Sequence, residues 1–207
     1  IPELSCKGEE CTDLVFLDVL DEQIESLSGE DGIIYLHLLG SHGPSYHQRY
    51  PESHAKFKPD CQTSDLQRCT KEEIINAYDN TILFTDYVMS QVIESLDKYK
   101  DNYYTGVVYM SDHGESLGEN GLYLHGAPYA FAPEEQTQVP LIVWFSDKMV
   151  QHEGFDIKCL KKVAQTRDFS HDNLSHTFLD LMDIETEIYD SKKDMLDMCA
   201  DEDQEEH

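Results

Sequence analysis

Two short strings concentrate the side chains that could do chemistry. The first is Ser41-His42-Gly43. The second is Ser111-Asp112-His113-Gly114-Glu115, separated by a glycine-rich turn from Leu124-His125-Gly126. Successive side chains of a strand alternate faces, so Asp112 and His113 cannot both reach one point within a strand. At a strand's end, with Gly114 letting the backbone bend, both can turn toward a single ion. A carboxylate oxygen beside an imidazole nitrogen suits Zn²⁺ better than Mg²⁺ or Ca²⁺, which take oxygen throughout. Each residue also has a plainer use. His42 or His125 alone on a loop serves as a surface residue, and Glu115 can cap a turn. Contiguous Ser111-Asp112-His113 cannot make a hydrolase triad, whose members must come from separate segments. The metal reading rests on the combination, and His37, His47, His54, His152, His171 and His176 are assigned to structure or surface.

Ligands of open α/β sheets collect at the carboxyl ends of strands, so strands should precede both clusters. IIYLHLL, from Ile33 to Leu39, is bounded by glycines and reads as a buried parallel strand that empties into GSHGPSYHQRYP. TGVVYMS (Thr105–Ser111) reads as a second buried strand and VPLIVWFS (Val139–Ser146) as a third. Asp13–Leu27 has apolar residues at helical spacing. Thr70 and Glu73 form a capping box for a long helix, with Ile74, Tyr78, Ile82, Thr85 and Met89 down one face toward Tyr99. A last helix runs from Ser170, its N-cap, to about Asp183. Residues 43 to 69, with Pro44, Pro51 and Pro59, read as a long surface loop. Strands separated by helices predict an α/β sheet covered on both faces.

The chain has 207 residues, with 15 basic and 42 acidic side chains and a net charge of −27. That length suits one domain. Phosphate backbones would be repelled by such a surface, which excludes nucleic acid as a partner. The longest apolar run, VPLIVWF, falls far short of the roughly 18–20 residues that cross a bilayer. Ile1-Pro2-Glu3 opens without a signal peptide, as an internal stretch of a longer protein would. Six cysteines allow many pairings. The simplest closes Cys6 on Cys11 and Cys61 on Cys69, leaving Cys159 and Cys199, and places the chain in an oxidising compartment. No CxxC spacing supports a structural zinc knuckle. After Met182 acidic residues outnumber Lys192 and Lys193 heavily, so residues 183–207 read as a solvated acidic tail behind a domain spanning 1–182.

From Ile33 to about Asp147 the sequence resembles the C-terminal half of the catalytic domain of the phosphoethanolamine–lipid A transferases. These include the mobile colistin-resistance enzymes and belong to the sulfatase/alkaline phosphatase superfamily. The strings that carry the resemblance are HLLGSHGPSYHQRYP, the Cys61-to-Cys69 loop, CTKEEIINAYDNTILFTDYV, YMSDHGESLGENGLYLHGAPYAFAP and QVPLIVWFS. HDNLSHTFLDLM is similar to the superfamily's closing helix. The resemblance implies part of a three-layer α/β sandwich, an alkaline phosphatase/sulfatase-like sheet with helices on both faces. It implies that Asp112 and His113 are protein ligands of a catalytic Zn²⁺. His42 and His125 would then bind the phosphoryl group or a second zinc, and Glu115 would lie near the ethanolamine amine.

The implied reaction is ping-pong at the periplasmic face of the bacterial inner membrane. A threonine takes phosphoethanolamine from phosphatidylethanolamine and passes it to a lipid A phosphate. The family's threonine nucleophile, its remaining carboxylate ligand and its N-terminal membrane helices match nothing in these residues; Thr12 lacks the context. The chain alone is therefore expected to be inactive and to bind zinc weakly. The alternatives are a phosphoglycerol transferase or sulfatase of the same superfamily, or a non-catalytic secreted module.

Overall fold

The structure, a computed structural model, describes residues 6–7 and 10–199. In chain order the elements are β1 (Cys6–Lys7), β2 (Glu10–Cys11), a 3-10 turn at Asp13–Phe16 that runs into α1 (Leu17–Ser26), 3-10 turns at Tyr46–Gln48, Glu52–His54 and Leu66–Arg68, and α2 (Lys71–Asp97). There follow β3 (Gly106–Met110), β4 (Ser116–Leu117), a 3-10 turn at Glu119–Gly121, β5 (Tyr123–Leu124), α3 (Glu134–Thr137), β6 (Leu141–Phe145), α4 (Asp147–His152), α5 (Ile157–Thr166) and α6 (His171–Leu181). Strand β1 pairs with β2 and β4 with β5, both antiparallel, and β3 pairs with β6. Two compact units result. One draws on the chain up to Ser28, Ile34–Lys98 and Tyr109–Ile142; the other on Gly29–Ile33, Tyr99–Val108 and the chain from Val143.

Helix α2 organises the first unit. Its start is the expected capping box: the Glu73 N–H donates to Thr70 Oγ1 at 3.2 Å, and the Thr70 N–H donates to Glu73 Oε2 at 2.7 Å. Its buried face is Ile74, Ala77, Thr81, Phe84, Val88, Val92 and Ser95, in steps of three and four, with Asn80 buried beside Thr81. The expected face, stepping only by four from Ile74 through Tyr78 to Ile82, is corrected. At 3.6 residues per turn such a row drifts about 40° per step, which leaves Ile82 48% exposed.

Residues 43–69 are irregular and largely exposed or half-buried, as a disulfide-held surface loop should be, but a few of their side chains are anchored in the core. Tyr46 and Cys61 are buried in one cluster with Ile74 and Ala77, and Tyr50 in another with Leu14, Phe84 and Val88. Asp60 is buried beside Tyr50 and accepts from its hydroxyl. An irregular segment can be buried only if its backbone finds partners, and α2 supplies them. Asn80 donates to Phe57 O at 3.0 Å and accepts from the Phe57 N–H at 2.8 Å, while Asn76 donates to Pro59 O at 2.8 Å. The Cys61 N–H donates to Glu73 O at 2.9 Å. Burial, and then the Asp60 carboxylate that accepts its hydroxyl at 2.6 Å, push the Tyr50 phenol up.

The three disulfides are Cys6–Cys11, Cys61–Cys69 and Cys159–Cys199. The strand reading of Ile33–Leu39 does not hold. The segment carries no strand, and its burial alternates, with Ile33, Tyr35, His37 and Leu39 exposed. Among the described residues it has no ladder partner. Strands β3 and β6 form where expected yet are half-buried, with Ile142 and Val143 exposed. A strand is covered on both faces only within a wider, doubly packed sheet. No helix of the described residues is long and apolar enough to cross a membrane.

In the second unit Met149, Phe155, Met195, Leu196 and Cys199 are buried, and Ser170 caps α6 as expected. The stretch 183–199 is therefore not simply solvated. Asp194 is buried, accepting from the Leu196 N–H at 2.8 Å and the Tyr189 hydroxyl at 3.1 Å. Partial burial and the neighbouring Asp194 carboxylate push the Asp180 carboxyl up to about 6. A raised carboxyl pKa holds a proton in the folded state that the unfolded chain releases. The stabilisation is thus complete below about pH 4 and lost as pH rises through about 6. Asp180→Asn, which needs no proton to donate to Asp194, should gain about 1 kcal/mol at pH 7, allowing for solvent screening, and nothing at pH 4. Urea melts at the two pH values check this.

Candidate metal centre

Glycine follows each of the three site histidines, and the fold explains all three. A Cβ on Gly43 would lie 2.6 Å from Leu124 Cδ2 and 2.7 Å from Tyr46 Oη; one on Gly114 would lie 2.1 Å from Glu135 O. Gly126 meets nothing but turns at φ +99°, where a side chain is strained. Gly114→Ala should therefore push α3 away, break the 3.0 Å bond from the Gly114 N–H to Gln136 O and destabilise the first unit by about 1–3 kcal/mol. Chemical denaturation of that variant is the check.

The hairpin of β4 and β5 sets the rest. Ser116 faces Leu124 and Leu117 faces Tyr123, so one step further out Glu115 faces His125. Asn120 at φ 53° and Gly121 at φ 79° close the turn, as an Asn-Gly pair does. Leu124 itself is left-handed at φ 63°, a strained conformation for a branched side chain, held by its packing against the Tyr46 cluster. The left-handed turn at Leu124 immediately precedes His125, whose ring meets His42, His113 and Glu115.

His42, His113 and His125 come together, each with a ring nitrogen within 4.8 Å of the others'. The His113 and His125 rings stack at 3.9 Å, and His42 lies edge-on, 4.9 Å from His125 and 5.8 Å from His113 between ring centres. Every Nδ1 meets an acceptor: Gly43 O at 2.7 Å for His42, Gly114 O at 2.9 Å for His113, and Glu115 Oε1 at 3.0 Å for His125. A carbonyl or carboxylate can only accept, so each Nδ1 carries the proton. Each Nε2 then offers its lone pair, the tautomer in which imidazole binds a metal. The donor set therefore fits a zinc ion. Asp112 is outside the trio and mostly solvent-facing, but its Oδ1 is 3.9 Å from His113 Nε2, near enough for both to reach one ion. Its other oxygen-mediated contact is local, Oδ1 accepting from the His113 N–H at 3.0 Å.

Glu115 is buried beneath this group. Its Oε1 accepts from the Gly43 N–H at 3.1 Å and from His125, and its Oε2 accepts from the Tyr46 hydroxyl at 2.6 Å. One carboxylate thus fixes the loop bearing His42 and the ring of His125. Burial, then Glu115, push the Tyr46 phenol well above its ordinary range, so it stays a donor. Asp13 performs a similar task upstream, accepting from the Leu39 and Gly40 N–H groups at 2.9 and 2.8 Å and aiming the chain into His42. Sequence reasoning missed Tyr46 and Gln136, whose side chain donates to buried Ser116 Oγ at 2.9 Å. No local pattern marks either; the Asn-Gly turn was the available signal for the Glu115–His125 pairing. Of the remaining histidines, His54 packs on Phe84 and Tyr87, His152 stacks on Tyr104, and His176 accepts from the Asp190 N–H.

The family profile described as sulfatase matches residues 1–184. The chain belongs to the sulfatase family. Within it, this sulfatase-family chain is 48% identical over 194 residues to phosphoethanolamine transferase EptA of Escherichia coli K12, matching 94% of the chain and 35% of that protein. It is 42% identical over 175 residues to phosphatidylethanolamine transferase Mcr-1 of Escherichia coli, covering 84% and 31%. The soluble domain of lipooligosaccharide phosphoethanolamine transferase A from Neisseria meningitidis superposes with a TM-score of 0.92 at 43% identity, covering 97% of this chain and 60% of that one. The chain thus has the sulfatase-like α/β fold and spans about a third of the length of its curated relatives.

Proposed function

We propose that these residues are the C-terminal part of a zinc-dependent transferase that moves phosphoethanolamine from phosphatidylethanolamine to a lipid A phosphate at the periplasmic face of a bacterial inner membrane. The observation that carries the reading is the convergence of three metal-competent imidazoles beside Asp112, in a chain whose relatives are phosphoethanolamine transferases. His113 Nε2 and Asp112 would hold the zinc, and His42 and His125 would receive the phosphoryl oxygens or a second ion. Bound there, zinc supplies a Lewis acid that lowers the pKa of a hydroxyl nucleophile and neutralises phosphoryl charge.

The chain's own residues do the rest. Glu115 orients His125, and where Nε2 holds no metal but takes up a proton, the carboxylate would stabilise the resulting imidazolium, which could pass that proton to a leaving alkoxide. Tyr46 and the Gly43 N–H hold Glu115 in turn. The reading assigns no nucleophile to these residues; the threonine comes from another stretch of the protein. The transferase part is taken to span residues 1–182. Of the acidic stretch behind it, 183–199 contributes buried Met195, Leu196 and Cys199 to stability rather than side chains to catalysis, and 200–207 lie outside the described residues.

The test is a chimera of Escherichia coli K12 EptA in which the matched segment is replaced by this chain. Lipid A from cells lacking their own EptA should gain phosphoethanolamine by mass spectrometry, with raised polymyxin resistance. Unmodified lipid A from a stably expressed chimera would refute the transferase assignment, and release of sulfate or transfer of phosphoglycerol would assign the other chemistries.

A further inference from the structure

The segment that follows His125 departs from the rest of the surface. Charged residues make up 28% of the chain, yet from Gly121 to Pro133 there is no Asp, Glu, Lys or Arg. In this gap stand the two most exposed large hydrophobic side chains among the described residues, Tyr129 at 88% and Phe131 at 82%, with Leu122 and Tyr123 also exposed. The tip is built, not loose. The Phe131 and Ala132 N–H groups donate to Pro128 O at 2.7 and 2.9 Å, closing a turn that projects both rings. Its base is tied to the metal centre: the Ala127 N–H donates to Gln136 Oε1 at 3.3 Å, and Gln136 is bonded to Ser116 and to Gly114.

We propose that this Tyr129–Phe131 tip is a lipid anchor that enters the headgroup region of a phospholipid bilayer beside the site. Aromatic rings favour that region, and shallow insertion of apolar side chains is the basis of interfacial binding. A chain with a net charge of −27 is repelled by anionic headgroups, and the uncharged stretch is where that repulsion falls away. The inference rests on the proposed function, because a lipid substrate is what brings this face to a membrane. The tip acts by apolar insertion, so it reads the interface rather than the headgroup.

The test uses the 207-residue chain in flotation with vesicles of phosphatidylcholine alone and of phosphatidylcholine with phosphatidylethanolamine. The wild-type chain should bind both equally. Tyr129→Ser with Phe131→Ser should lower partitioning about tenfold or more, and Tyr129→Trp with Phe131→Trp should restore it. Circular dichroism confirms that the variants fold. Adding phosphatidylglycerol should weaken binding at low salt. No flotation by the wild-type chain, or flotation unchanged by the serine pair, overturns the anchor; the second result would assign the tip to a protein surface. Binding that needs phosphatidylethanolamine and survives the serine pair would place recognition in the metal centre, overturning the anchor but not the transferase. Tip-dependent binding alongside an inactive chimera would do the reverse.

Discussion

His113→Ala in the chimera with Escherichia coli EptA is expected to lower transfer from phosphatidylethanolamine by about 10²–10³-fold or more. The loss would fall in kcat rather than in KM. His113 stacks on His125 at 3.9 Å and is the imidazole whose Nε2 lies 3.9 Å from Asp112 Oδ1. Removing it takes away one of the two residues proposed to hold the catalytic zinc and leaves the other, Asp112, without its partner. The magnitude follows from groups that stabilise charge developing in the transition state, each worth about 2.7–4 kcal/mol. Asp112→Ala should follow the same direction. Transfer that persists within a few-fold of the parental chimera in His113→Ala would remove the metal centre from the chemistry.

Glu115→Ala is expected to do damage of a different kind, visible in the isolated chain. Tyr46 Oη and the Gly43 N–H would be left buried without an acceptor, and His125 would lose the partner that fixes its tautomer. Buried orphans cost about 1–3 kcal/mol each, so the first unit should lose about 3–5 kcal/mol in urea titration. Zinc affinity should fall about 10–100-fold, the usual effect of removing a carboxylate behind a ligating histidine. Glu115→Gln keeps the shape and one acceptor oxygen, so it should show a smaller loss of both. If the alanine variant kept both its stability and its zinc affinity, the positioning role would be wrong.

The site was legible in the sequence as a set of residues but not as an arrangement. The His-Gly pairs at 42–43, 113–114 and 125–126 stand out in a line of text, whereas the pairing of Glu115 with His125 depends on the β4–β5 register. That register follows from an Asn-Gly turn whose strands are only two residues long, too short for any alternation pattern to show. Helix α2 was readable from its capping box, yet its buried face was not, because a row spaced by four slides off the axis within two turns. Ile33–Leu39 has the composition of a buried strand, but composition cannot say whether a neighbour is there to pair with it. Residues 43–69 look polar and broken, and the anchoring of a few of them in the core depends on Asn76 and Asn80 reaching across from α2. The acidic stretch misled for the converse reason: Met195 and Leu196 are too few to register against the surrounding charge.

Zinc at His113 within the histidine group is observable by anomalous diffraction at the zinc edge from crystals of this chain grown with zinc. A strong anomalous peak is expected about 2.0–2.1 Å from His113 Nε2, within reach of Asp112 or of His42 and His125. A strongest peak elsewhere, such as among the acidic side chains around Asp194, with none at His113, would contradict that placement.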